Sequence, residues 1–310
     1  TAKMRRLADQ AESADLEQVF FQAMMMALGT GPGKTLYYLL AKRAPLADLL
    51  DYVHDLPPER RVTGLEALLI HVAGLTPKAE ALAKAPAESR ARAKELDDLW
   101  GKFEAYWDDR VIPPTRRWFQ GIRPVNFPVR RLAGVAILLE RAMRKGKMPL
   151  EDLVEYLRAG ISSLEGATPT RRKKHPLLSQ LVDWFTVSGD SHFWGDHYSF
   201  AAKPATRRMN LIGEGTATSL VLNAALPALL LAGKKTKDEA LIKAVHKLYG
   251  LVPPLQPNHI TEFMTYRLFG ETGQGADIIN TERRRQALFQ IFYSCCKGED
   301  RNCQACYYQK

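Results

Sequence analysis

The first 294 residues of this 310-residue chain contain no cysteine; all four cysteines fall within the last sixteen. A disulfide framework running through the protein is therefore excluded, and the thiols form one local cluster. Stretches that alternate polar and apolar residues are nearly absent, so strands are not expected. No apolar segment follows the amino end, and no cleavable leader is read there. The longest run without a charge, 215–233, contains Asn223, Pro227 and several hydroxyls. It reads as a buried core helix rather than a membrane span, and no membrane contact is expected. Together these absences point to a cytoplasmic protein.

What is present is helical. Hydrophobic residues make up 46% and charged residues 25%, enough apolar material for a sizeable core. Val19, Phe20, Ala23, Met24 and Ala27 recur at steps of three and four, with Asp15 placed to cap and Gly29 to stop that helix. Similar spacing predicts helices at 36–41, 46–53, 64–73, 88–111, 129–143, 150–159, 177–185, 216–231, 238–249, 260–268 and 282–296. The expected fold is all-α, one compact body of about a dozen helices. Pro113 and Pro114 break the pattern and mark a subdomain boundary. Residues 1–112 then form a near-neutral helical part, and 113–310 a basic helical part ending in the cysteines.

Charge sharpens that division. The net charge is +10, yet residues 1–114 sum to −2 and residues 115–310 to +12. Such asymmetry suggests a polyanionic partner, most simply nucleic acid.

Three segments carry candidate chemistry. In 122–133, Pro128 suits the first turn of a helix and Asn126 its cap. With Arg123, Arg130 and Arg131 beside it, that helix start would make a phosphate-binding site. Equally, arginines in a proline-rich loop hydrogen-bond carbonyls and lock the loop. In 190–200, Asp190, His192, Asp196 and His197 have the side chains for metal ligation or acid–base work. Trp194 and Tyr198, with Arg171, Arg172, Lys173 and Lys174 upstream and Arg207 and Arg208 downstream, could instead stack bases and contact phosphates. The plainer alternative is a loop pinned by buried rings. At the end of the chain, Cys303 and Cys306 form a CxxC, seven residues after Cys296, with Cys295 adjacent. A zinc ion or iron–sulfur cluster, a disulfide and free thiols all remain open. The turn at 29–35 imitates a phosphate-binding loop but is one residue short, and it follows a helix. It reads as a helix–turn–helix linker.

The cysteine spacing is similar to three of the four positions of the endonuclease III cluster loop. Over most of its length the chain resembles the bacterial domain of unknown function 2851. The resemblance rests on 66–77 (EALLIHVAGLTP), 122–139 (IRPVNFPVRRLAGVAILL), 193–200 (FWGDHYSF), 210–230 (NLIGEGTATSLVLNAALPALL) and 283–306 (RRRQALFQIFYSCCKGEDRNCQAC). It implies that this chain is the helical half of proteins that usually carry a β-rich, nuclease-like half upstream, or a shortened relative of them. It supplies no activity. The leading expectation is a nucleic-acid-binding module with a cysteine-held structural metal. A glycosylase- or nuclease-like enzyme centred on Asp190, His192, Asp196 and His197 is the alternative. A third reading is a scaffold that docks an N-terminal partner domain through a large exposed apolar patch.

Overall fold

Asp15 accepts the backbone N–H of Glu17 and starts helix α1 (Leu16–Leu28), which stops at Gly29 as its spacing predicts. The computed structural model describes residues 7–12, 14–30, 33–170, 173–270 and 277–296. After α1 come α2 (Gly33–Arg43), α3 (Leu46–His54), α4 (Pro58–Val72) and α5 (Ala87–Trp100). The stretch expected to be one helix over 88–111 breaks after Trp100, at Gly101, a weak helix former. The break lets Phe103 and Trp107 both meet Tyr52 edge-on, at centroid distances of 5.8 and 5.5 Å.

The second part of the chain contributes α6 (Pro128–Arg144), α7 (Pro149–Gly160), α8 (Pro176–Phe185), α9 (Glu214–Thr236), α10 (Glu239–Leu251), α11 (His259–Phe269) and α12 (Glu282–Ile291). Proline opens α4, α6, α7 and α8, where its missing N–H costs nothing. The fold is all-α. Among the described residues β pairing is limited to one isolated antiparallel bridge, Val187 to Ile212.

Helix α9 spans 23 residues and is long and apolar enough, by composition, to cross a membrane. Here 72% of its apolar window is buried, against α1 and α10 among others. It is a core helix, as read from its asparagine, proline and hydroxyls. Pro227 cannot donate within it, and the helix widens into a π-turn at Val221–Ala225 just before that residue.

The charge boundary near Pro113 is not a gap in the core. Helix α4 packs on α6, and buried apolar residues run continuously from Leu7 to Val252. Ile112 donates to Val72 O at 2.8 Å, and the buried Trp118 indole donates to Ala73 O at 3.1 Å. Gly74, at φ +63°, sits so close to the Ile112 carbonyl that a Cβ there would collide with it.

Candidate functional site

Pro128 opens α6 as predicted, but the capping residue is Phe127, which has no side chain to offer the helix N–H groups. Asn126 is turned elsewhere: its Oδ1 accepts from Arg131 Nη2 at 2.5 Å. Arg130, in the first turn of α6, is fully buried. Its Nε donates to Val125 O, and Nη1 reaches the carbonyls of Trp194, Gly195 and His197. Nη2 reaches Met209 O at 3.0 Å and Asn210 O at 3.2 Å. Arg130 is thus a clamp on loop backbone and not a surface phosphate contact. Burial pulls its guanidinium down to about 10, which leaves it cationic at neutral pH.

Arg131 is also buried and does similar work. It donates to Leu211 O (2.8 Å), Thr216 Oγ1 (2.9 Å) and Asn126. All three acceptors are neutral, and no carboxylate pairs with it among the described residues. Arg131 forms part of the wall of a cavity of about 160 Å³ at the start of α9.

The clamped loop, 188–212, folds on itself through two glycines. A Cβ on Gly195 would overlap the Gly189 carbonyl, and one on Gly189 would overlap Met209 O. The four acid–base candidates in this loop do not converge. Asp190 bonds Ser188, while His192 reaches into the interior toward Glu66. Asp196 and His197 form one chain of contacts. His197 Nδ1 lies 2.7 Å from Asp196, its Nε2 lies 3.1 Å from Glu88, and Asp196 pairs with Arg208 at 2.9 Å. No trio of His, Cys, Asp or Glu among the described residues is arranged to hold a metal ion. Through these contacts the four side chains tie the loop to itself and to α4 and α5.

Trp194 is fully buried, so it cannot stack on bases from the surface. Its indole N–H donates to Glu66 Oε2 at 3.2 Å. Tyr198 is half-buried, with the Arg130 guanidinium 5.0 Å above its ring. Glu66 and Arg92 escaped the sequence reading, yet they complete this buried network. Arg92 bridges Glu66 and Glu95, and Glu66 has no exposed surface. A glutamate on the apolar face of α4 was the available signal.

The surface-facing candidates fare differently. Arg123 and Lys173 are exposed, and neither side chain is paired among the described residues. Lys174 is spent on Glu214 at 2.5 Å. Arg171 and Arg172 lie outside the described residues. So do Cys303 and Cys306, while Cys295, exposed, and Cys296, half-buried, sit on the π-turn that extends α12. On the last two helices Phe263, Tyr266 and Tyr293 are exposed apolar side chains.

Residues 1–258 match one family, described as a protein of unknown function, DUF2851; the match ends before the cysteine segment. No curated protein and no solved structure matches the chain. By the extent of that match, the chain belongs to the DUF2851 family.

Proposed function

We propose that this chain is a nucleic-acid-binding module that grips phosphates through exposed basic side chains and acts in the cytoplasm. The observation that carries the reading is a set of unpaired cations in the second part of the chain. Arg116, Arg117, Arg123, Lys173, Lys203 and Arg207 are exposed, and none makes an ion pair among the described residues. Arg123 and Arg207 each lie two residues from a carbonyl held by Arg130, at Val125 and Met209. The clamp therefore presents the two segments carrying them together. With Trp194 buried, binding rests on the backbone and is weakly sequence-selective.

The test is fluorescence anisotropy with short DNA and RNA duplexes and single strands, at about 50 to 200 mM salt. Affinity is expected to fall steeply with salt. The Arg123→Ala and Arg207→Ala double variant should flatten the log–log slope by about two. A flat salt response, or no binding at the low end, overturns the reading. The four cysteines fit this module as a structural staple for zinc or an iron–sulfur cluster, and elemental analysis of anaerobically purified protein tests that part. About one metal site per chain supports it; thiols that titrate in full without metal overturn it.

A further inference from the structure

The cavity beside Arg131 has a function-bearing feature that loop locking does not explain. Tyr37, on the first turns of α2, is 4% exposed and lines the cavity; its hydroxyl makes no hydrogen bond among the described residues, and its oxygen is open to the cavity rather than sealed in the core. A phenol placed this way has both its donor and its acceptor capacity available to whatever occupies the cavity. The ring itself is fixed: Trp118 meets it edge-on, with centroids 5.1 Å apart. The hydroxyl is thus held in place next to empty space.

The rest of the wall has one chemical sense. Arg131 is 7% exposed and brings a positive charge whose protein acceptors are all neutral. A buried cation without a counter-ion is costly, and an anion in the adjoining space would relieve it. Thr216 adds a hydroxyl from the first turn of α9, where backbone N–H groups also lack helical partners, while the Ser219 hydroxyl is already donated to Gly215 O. Asn126 adds an amide. Leu28 and Ile122 make the remainder of the wall apolar. One full positive charge, several neutral donors and an apolar side match a singly charged head on a small apolar body. A doubly charged phosphate would meet too little positive charge. The volume, about 160 Å³, is close to the engineered cavities that take up benzene.

We propose that this cavity binds a small organic carboxylate, its head held by Arg131 and the Tyr37 hydroxyl and its apolar body lodged toward Trp118 and Leu28. The site uses none of the exposed basic side chains, so either assignment can fail without the other.

Benzoate is the probe, followed by thermal shift and by NMR of the Tyr37 ring and the Thr216 amide. Saturable stabilisation in the millimolar range or tighter is expected, with shifts at both residues. Tyr37→Phe removes only the unpartnered hydroxyl, so the variant should stay folded and bind benzoate about five-fold more weakly. Arg131→Lys, which keeps the charge but loses the fork, should weaken binding further. No saturation in the millimolar range, or equal affinity in wild type and Tyr37→Phe, overturns the proposal. So does saturation by inorganic phosphate in place of benzoate, which would make the head a phosphate.

Discussion

His192 Nε2 lies 2.6 Å from Oε1 of Glu66, a carboxylate with no exposed surface in the middle of α4. Burial pushes the Glu66 carboxyl upward, but Arg92 and His192 outweigh it and hold the group below its ordinary value of 4.5. A depressed carboxylate contributes stability that is complete above that ordinary value and lost as pH falls through the folded value. Urea unfolding should therefore show stability falling as the protein is acidified below about 4.5. Glu66→Gln should weaken this slope. At neutral pH it should cost about 3 kcal/mol or more, because Arg92 loses its buried counter-charge.

Arg130→Lys keeps the charge but cannot reach six carbonyls with a planar fork. Several buried C=O groups of 188–212 would lose their donor, a loss of about 1–3 kcal/mol for each group left unsatisfied. The expected outcome is a lower melting temperature together with new proteolytic cleavage within 188–212. Unchanged protection of that loop would show that the clamp is not what orders it.

Glu17 behaves in the opposite sense to Glu66. Burial pushes its carboxyl up to about 7, more than the N–H groups of Leu150 and Glu151 pull it down. Those two bonds, both 2.8 Å, tie α1 to the start of α7. For a raised carboxyl the stabilising contribution is full below the unfolded value and is lost as pH rises through the folded one. Between about 4.5 and 7 the fold should lose stability on this account. Glu17→Gln, neutral throughout, should flatten the pH profile across that window, as read by chemical denaturation at fixed pH steps.

Lys237 ends α9 at φ 56°, in the left-handed region that side chains disfavour. Lys237→Gly should stabilise the protein by about 0.5–1 kcal/mol, visible as a higher urea midpoint with an unchanged slope. A loss of stability would mean that the lysine side chain contributes more than the strain costs.

Helix positions are legible from residue order because they follow from local rules. Apolar side chains at steps of three and four need one buried face, Pro128 and Pro149 need a helix start, and Asp15 needs an N–H to accept. The uncharged run that becomes α9 is readable for the same reason: its polar residues do not suit lipid, and its leucines need a core. Arg130, Arg131 and Trp194 were ambiguous, since an arginine beside a helix start has the same local pattern whether it faces a phosphate or a carbonyl. What decided between them was distance across the chain. Arg130 meets carbonyls more than sixty residues away, and Trp194 meets Glu66 across 128. No spacing rule encodes such pairs. Tyr37 and Arg131 likewise share a wall only because α1, α2, α6 and α9 pack together, and packing alone determines which polar groups are satisfied and which face an empty space.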